Sequence, residues 1–189
     1  MDLLAISPPD EDYPQEAHLI VQLLDAGLQR YHIRKPAGCR MASERLIQAV
    51  PEAYYSRLSL HQHYDLEERY GVCLHNTSHA TLGDRVARSC SLHSLDALET
   101  QLKGYEYAFL SPIFPSISKA GYGPVWSESA LRTALKPDYQ TRLYALGGVQ
   151  PGTLALAQSL GFEGVVLHGV LWQAADPLQV FQSFLALAA

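Results

Sequence analysis

The sequence is poor in cysteine, has no long apolar run and carries no excess of basic residues. Its three cysteines, Cys39, Cys73 and Cys90, form an odd set without CxxC spacing, so a disulfide framework is not expected. Residues 1–20 lack the basic and apolar regions of a signal peptide, and no apolar run is long enough to span a bilayer. These absences predict a cytoplasmic protein with no membrane partner. Cys73 and Cys90 are interpreted as small core residues.

Charge and composition exclude two further classes of protein. The 189 residues include 14 Lys and Arg against 19 Asp and Glu, a formal net charge of −5, so nucleic-acid binding is not expected. Hydrophobic residues make up 48% and charged residues 17%, which is typical of a globular rather than a disordered chain. The chain also has no low-complexity tract and no clear internal repeat. Residues 1–189 are expected to form a single domain.

Short apolar segments alternate with amphipathic segments along the whole chain. Strands that alternate with helices favour a parallel sheet covered by helices. Eight such units account for a closed (β/α)8 barrel, whereas an open doubly wound sheet would need two or three strands reassigned. The predicted strands are residues 3–7, 30–34, 57–61, 71–75, 85–90, 105–110, 142–146 and 164–168. The predicted helices are residues 16–26, 43–50, 65–69, 94–102, 127–135, 151–160 and 177–188.

Two loops at the carboxyl end of this barrel predict a phosphate or diphosphate site. The loop after the sixth strand offers the hydroxyls of Ser116 and Ser118 and the ammonium of Lys119. Gly147 and Gly148 follow the seventh strand, where glycines let backbone amides approach an anion before a helix begins. The alternatives are an ordinary strand-to-helix turn for the glycines and a solvated surface side chain for the lysine.

Barrels of this kind bind phosphate near the loops after strands seven and eight, which adds His168 and Gly169 to the predicted site. Arg34 ends the second strand, and its planar guanidinium suits a diphosphate better than an ammonium does. The alternative for Arg34 is a surface residue of the pair Arg34-Lys35 before a proline. Lys35 points to the other side of the strand, because neighbouring residues of a strand face opposite ways.

Histidines gather at the predicted strand ends: His32, His61, His63, His75 and His168, with His93 shortly after strand five. An imidazole at a pocket mouth donates hydrogen bonds, moves protons or binds a transition metal. His61 and His63 would be two ligands if they shared one strand face. No set of Cys, His and acidic residues has a strong ligand spacing, so no metal site is assigned.

Five segments of the chain resemble the thiamine phosphate synthase and thiazole tautomerase (TenI-like) family. They begin at His32, Leu60, Ser91, Ser111 and Ala145. Two of them are specific. Ser-Pro-Ile-Phe-Pro-Ser-Ile-Ser-Lys is close to the family's Gly-Pro-Ile-Phe-Pro-Thr-x-Thr-Lys, and Ala-Leu-Gly-Gly-Val is close to its Ala-Ile-Gly-Gly-Ile.

The resemblance implies a TIM barrel that is often dimeric, so a homodimer is one expected state. Synthases of the family join hydroxymethylpyrimidine diphosphate to thiazole phosphate and release diphosphate with the help of Mg²⁺. Phosphorylated pyrimidine and thiazole compounds are therefore the implied ligands. Carried over by position, the implied diphosphate ligands are Arg34, Ser91, Ser116, Ser118 and Lys119. The implied thiazole phosphate ligands are Gly147 and Gly148, with the amides around His168 and Gly169.

Several positions depart from the family pattern. Gln62 stands where the family has a metal-binding Asp, and the second acid falls near Ser78, so Mg²⁺ binding is expected to be weak or absent. His32 and His61 replace the family's Gln and Asn, and Pro112 stands where the tautomerase branch has its His. We expect Arg34, Lys119 and His61 to carry catalysis, with His32 and Gln62 among the substrate-binding residues.

Synthase activity without firmly bound Mg²⁺ would depend on these fixed cations. Protonated His61 or His75 would assist them, and turnover would fall as pH rises through the range near 6.5 where histidine titrates. A thiamine-phosphate diphosphorylase type of transferase is the first reading. The alternatives are a TenI-like thiazole tautomerase and a non-catalytic barrel that binds phosphorylated ligands.

Overall fold

The structure, a computed structural model, describes residues 1–8, 10, 13–77, 82–115, 126–135 and 139–188. Its strands form a closed parallel barrel in which each strand pairs with the next in sequence and the last pairs with the first. The predicted (β/α)8 barrel is confirmed. The strands are β1 Asp2–Ile6, β2 Arg30–Ile33, β3 Leu58–Leu60, β4 Cys73–Asn76, β5 Ser89–Leu92, β6 Tyr107–Leu110, β7 Arg142–Leu146 and β8 Gly164–Leu167.

Helices follow the strands along the outside of the barrel. Ser127 and Asp176 act as N-caps, since their side-chain oxygens accept hydrogen bonds from the amides of Ala130 and Gln179 at 3.2 and 3.0 Å. No helix in the described part of the chain combines the length and the apolar character that crossing a membrane requires. The α-helices are α1 Glu16–Asp25, α2 Arg40–Ala49, α3 Leu66–Tyr70, α4 Asp96–Thr100, α5 Glu128–Ala134, α6 Leu154–Leu160, α7 Gly169–Trp172 and α8 Pro177–Ala188.

Some predicted boundaries were wrong. The fifth strand was predicted at residues 85–90 but is Ser89–Leu92, because pairing with β4 begins only near Arg88, whose amide donates to Leu74 O at 2.9 Å. Helix α2 begins at Arg40 rather than residue 43, and Ser43 is buried within it. The 3₁₀ helix Glu52–Arg57 and the short helix α7 were not predicted.

The barrel interior is apolar on one side and polar on the other. A small inner cluster of Leu4, Ile6, Tyr107, Phe109, Tyr144 and Val166 fills the side formed by β1 and β6–β8. The facing positions of β2–β5 carry histidine and serine instead of the bulky branched residues that usually dominate barrel interiors. A larger core, formed by the outward strand residues and the helices, surrounds the barrel.

Gly164 makes room for a large aromatic ring inside the barrel. A Cβ atom at this position would lie 2.3 Å from two ring carbons of Tyr144 and 2.6 Å from Asp2 O. The Tyr144 ring is buried, and its hydroxyl donates a hydrogen bond to Asp2 Oδ2 at 2.7 Å. The glycine is therefore required by packing between β7, β8 and β1.

We expect Gly164→Ala to lower the free energy of unfolding by about 1–3 kcal/mol, the usual cost of overpacking a filled core. Gly152→Ala is the matched control, because nothing lies within 4 Å of a Cβ there. The control should change stability by less than about 0.5 kcal/mol. Urea unfolding of both variants tests this, and equal stabilities would contradict the packing argument.

Candidate functional site

The loops after β6 and β7 lie side by side at the carboxyl end of the barrel. Ile113 N donates to Leu146 O at 3.0 Å, and Phe114 N donates to Gly147 O at 3.1 Å. Gly148 has a φ of +65°, and a Cβ there would lie 2.3 Å from Pro115 O. For residues 111–115, the prediction that these two loops share one end of the barrel is confirmed. The close approach of the neighbouring loop is enough to explain why residue 148 is a glycine. The role of Gly148 in binding an anion therefore stays a prediction.

Arg34 lies at the same end, directly after β2. Its backbone is fixed by Ser7, whose buried hydroxyl accepts from Arg34 N at 2.8 Å and donates to Arg34 O at 2.9 Å. The guanidinium is exposed and makes no hydrogen bond or ion pair with any other described residue. Its charge contributes to a lowered pKa at His61, which places Arg34 close to that imidazole. The arrangement leaves a cation available to an anionic ligand.

Three histidines from successive strands meet inside the barrel. His32 comes from β2, His61 follows β3 and His75 comes from β4, and they are 0%, 4% and 0% exposed. His32 Nδ1 lies 3.0 Å from His61 Nε2, a hydrogen-bond distance. The rings of His61 and His75 are stacked, with centroids 4.1 Å apart. We call these three residues the histidine cluster.

Hydroxyl groups surround the histidine cluster. Tyr107 Oη lies 3.0 Å from His32 Nε2. Ser89 Oγ lies 2.8 Å from His75 Nδ1, and Ser91 Oγ lies 2.7 Å from His75 Nε2. Ser91, predicted as a diphosphate ligand, is thus a hydrogen-bond partner of His75.

Burial keeps the histidine cluster uncharged at neutral pH. Desolvation is the main cause of the lowered pKa of each residue, and it lowers the pKa of His75 to about 3. One expectation is therefore corrected, because these imidazoles lie inside the barrel rather than at its mouth. The expected help of protonated His61 or His75 to turnover near pH 6.5 stays an untested prediction, which their lowered pKa values oppose.

The other predicted histidines lie apart from the cluster. His63 is not on a strand face with His61, since β3 ends at Leu60 and His63 has a φ of +56° and faces Gly38 O at 3.2 Å. His93 is exposed and lies 3.1 Å from Ser111 Oγ. His168 follows β8, directly before α7 begins at Gly169, and its charge also contributes to the lowered pKa of His61. Ser78, Ser116, Ser118 and Lys119 lie outside the described residues, so their roles stay predictions.

Comparison with known proteins supports the resemblance seen in the sequence. No protein-family model and no curated protein sequence matches this chain. A solved structure of thiamine phosphate pyrophosphorylase from Bacteroides thetaiotaomicron matches with a TM-score of 0.85 and 29% identity, over 100% of this chain and 98% of that one. Over its full length the chain is similar to the thiamine phosphate synthase/TenI-like family.

Two more distant structures share the fold. Thiamine phosphate pyrophosphorylase from Pyrococcus furiosus matches with a TM-score of 0.79 and 14% identity, over 99% of this chain and 95% of that one. A 3-hexulose-6-phosphate synthase matches with a TM-score of 0.69 and 15% identity, over 100% of both chains. At these identities the likeness concerns the barrel alone.

The described residues of this chain do not fit the Mg²⁺ site that the resemblance implies. Gln62 Oε1 and Asn76 Oδ1 are buried acceptors without a hydrogen-bond partner among the described residues, but both are neutral amides. Asp65, the nearest acid in sequence, is instead paired with Arg40 at 2.6 Å. Mg²⁺ prefers carboxylates and water, so no step of the chemistry below is assigned to this ion.

Sequence reasoning missed a buried ion pair behind Arg34. Lys35 Nζ lies 2.6 Å from Glu16 Oε2 and donates to the carbonyls of Asp10 and Pro8 at 2.6 and 3.1 Å. Tyr31 Oη donates to the other oxygen of Glu16 at 2.8 Å. Burial raises the pKa of Glu16. The signal in the sequence was the position of Lys35 next to Arg34, since neighbouring strand residues face opposite ways and Lys35 therefore points away from the proposed site.

We expect Lys35→Met to lower the free energy of unfolding by about 3–5 kcal/mol, since it leaves the Glu16 carboxylate buried without its cation. Arg40→Met is the matched control, because Arg40 pairs with Asp65 and Glu44 at the surface. Loss of exposed pairs should cost no more than about 1 kcal/mol. Denaturant unfolding of both variants measures the difference, and similar losses would show that the buried pair contributes little.

Proposed function

We propose that this chain is a transferase of the thiamine phosphate synthase type, which joins hydroxymethylpyrimidine diphosphate to thiazole phosphate and releases diphosphate. The observation that carries the proposal is the full-length likeness to the thiamine phosphate pyrophosphorylase of Bacteroides thetaiotaomicron. The exposed guanidinium of Arg34, at the same end of the barrel as the loops after β6 and β7, supports it. All of these features lie at the end where barrel enzymes carry their active sites.

The proposed binding roles follow the two phosphorylated substrates. The diphosphate would contact Arg34 together with Ser116, Ser118 and Lys119. The thiazole phosphate would contact the amides of Gly147 and Gly148 and those around His168 and Gly169, next to the end of β8. Neutral His61, beside Arg34, would offer a hydrogen bond rather than a charge to the substrate between these two sites.

The proposed reaction breaks one bond and forms another. The bond between the pyrimidine methylene carbon and the diphosphate oxygen breaks, and its electron pair leaves with the diphosphate. The thiazole nitrogen then gives its lone pair to the methylene cation, which forms the new carbon–nitrogen bond. Arg34 and Lys119 would stabilise the departing diphosphate electrostatically, as positioned cations stabilise negative charge that develops in a transition state.

Replacing Arg34 tests this assignment directly. We expect Arg34→Gln to lower kcat/KM by about 10- to 150-fold, the equivalent of the 1.5–3 kcal/mol that charge-assisted hydrogen bonds contribute. Arg45→Gln, at an exposed residue of α2, is the matched control and should leave kcat/KM unchanged. A synthase assay with both substrates measures the effect, and equal activity of the two variants would remove Arg34 from the site.

The neutral residues at the family's metal positions lead to a second expectation. Synthase turnover should be slow and should change little when Mg²⁺ is added or omitted, because Gln62 and Ser78 supply no charge to a hard cation. Steady-state assays across Mg²⁺ concentrations test this. Rapid turnover that requires Mg²⁺ would mean that acids elsewhere in the chain hold the ion.

A thiazole tautomerase is the second candidate, favoured by the neutral state of His61. An uncharged imidazole near a cation is able to accept a proton from a bound carbon acid. Exchange of thiazole phosphate protons in D₂O without the pyrimidine substrate, lost in His61→Gln, would favour this function over the synthase. Ligand-induced thermal stabilisation with no turnover in either assay would instead identify a barrel that only binds phosphorylated ligands.

A further inference from the structure

We propose that His32, His61 and His75 bind a late first-row divalent metal ion such as Zn²⁺ inside the barrel. Each residue offers one ring nitrogen, and the three nitrogens all lie within 4.8 Å of one another. The inference rests on the interior of the barrel rather than on the loops at its end, and His61 is the one ligand that the proposed function also uses.

The distances are close to those that a shared ion needs. Zn²⁺ binds histidine nitrogens at about 2.0–2.1 Å, so two ligands in a tetrahedral site lie about 3.4 Å apart. His32 Nδ1 and His61 Nε2 are already 3.0 Å apart. All separations are at most 4.8 Å, and the stacked rings of His61 and His75 must rotate for their nitrogens to share one ion at that spacing.

Hydrogen-bond contacts hold together the backbone segments that carry the two stacked rings. Tyr64 Oη lies 2.9 Å from His61 O and 3.0 Å from His75 O, so one hydroxyl joins the strand ends that carry both histidines. His61 N also donates to Ile33 O at 3.1 Å, which continues the pairing of β3 with β2 beyond the last strand residue. Two ligands therefore lie on the strands β2 and β4, and His61 directly follows β3, so all three are close to the rigid part of the barrel that a precise site requires.

The donor set selects the class of ion. Three imidazoles with no carboxylate or thiolate among them suit Zn²⁺, Co²⁺, Ni²⁺ or Cu²⁺, and do not suit Mg²⁺ or Ca²⁺. Metal ligands must be deprotonated, and burial already keeps these imidazoles neutral, with the pKa of His75 lowered to about 3. An ion would therefore bind to lone pairs of neutral imidazole nitrogens and would not have to displace protons from charged rings.

Outer hydrogen bonds orient two of the rings toward a common centre. Tyr107 Oη at 3.0 Å from His32 Nε2 accepts the proton of that nitrogen and leaves Nδ1 for the ion. Ser89 Oγ does the same at His75 Nδ1, which leaves His75 Nε2 for the ion in place of Ser91. Hydroxyls and carbonyls on the outer nitrogen are the usual second layer of histidine metal sites.

Binding exchanges one interaction for another within the cluster. A single proton now lies between His32 Nδ1 and His61 Nε2. When the ion binds both nitrogens, that proton moves to the outer nitrogen of one ring, so each imidazole stays neutral and carries one proton. The competing account is a hydrogen-bonded polar interior that takes no ion, and the experiment separates the two.

Direct titration of the metal-free protein with Zn²⁺ and Co²⁺ tests the proposal. We expect one ion per chain, visible Co²⁺ absorption bands of a tetrahedral site, and a higher Tm with Zn²⁺. His75→Gln and His61→Gln should each weaken binding by more than the 10- to 100-fold that loss of an outer partner costs. His18→Gln, an exposed histidine on α1, is the control and should bind as the unchanged protein does. Binding that His75→Gln leaves intact, or no stoichiometric binding at all, would overturn the site.

A second measurement needs no substitution, in case the variants fail to fold. Histidine-specific ¹⁵N NMR of the unchanged protein should show ring-nitrogen shifts for three buried histidines on addition of one equivalent of Zn²⁺. Shifts confined to the exposed histidines His18 and His93 would mean adventitious surface binding and would contradict the proposal. Neither readout depends on synthase activity, so failure here is separate from failure of the proposed function.

Discussion

The burial of polar side chains inside a closed barrel is the constraint on which the rest of this structure depends. A closed sheet has no edge, and its interior admits little water, so each inward polar group needs a partner from another strand. His32 meets His61 and Tyr107, while His75 meets two serine hydroxyls. The same exclusion of water keeps the imidazoles uncharged, which makes them hydrogen-bonding groups or metal ligands rather than cations.

The exposed cation of the proposed site lies at the carboxyl end of the barrel, directly after β2. Neighbouring residues of an extended chain point opposite ways, and this separates the cations of Arg34 and Lys35. Arg34 is exposed at the open end. Lys35 forms a buried ion pair with Glu16 and donates a hydrogen bond to the carbonyl of Asp10, in the chain after β1. The ion pair holds the backbone next to Arg34. The hydroxyl of Ser7, directly after β1, holds the backbone of Arg34 itself through two hydrogen bonds. A fixed cation at the rim is what a departing diphosphate requires.

The similarity to the thiamine phosphate synthase/TenI-like family and the changes at its metal positions point in different directions. The loops after β6 and β7 lie together as the motifs imply. Gln62 and Asn76 offer oxygen atoms without charge, and their buried acceptors have no partner among the described residues. In the proposed function, the electrostatic part of catalysis would therefore fall to the side chains of the chain rather than to a bound ion.

Much of the fold could be predicted because it follows from local patterns of apolar and polar residues. The alternation of apolar and amphipathic segments determined eight strands, and Arg142–Leu146 and Pro177–Ala188 have the bounds expected from periodicity alone. The glycine motif after β7 determined where the loops would meet, since backbone conformation at Gly148 admits few other residues. Short elements such as α7 were not predicted, because four residues are too few to show a hydrophobic period.

What only the tertiary structure decided is which side chains meet inside. His32, His61 and His75 are separated in sequence, and their side chains converge only because β2, β3 and β4 pair in one register and present them to the interior. A shift of one residue would turn each of them outward. The sequence by itself determined the barrel and the family that its motifs resemble. Closure of the sheet, through register and burial, determined that its histidines form one neutral cluster.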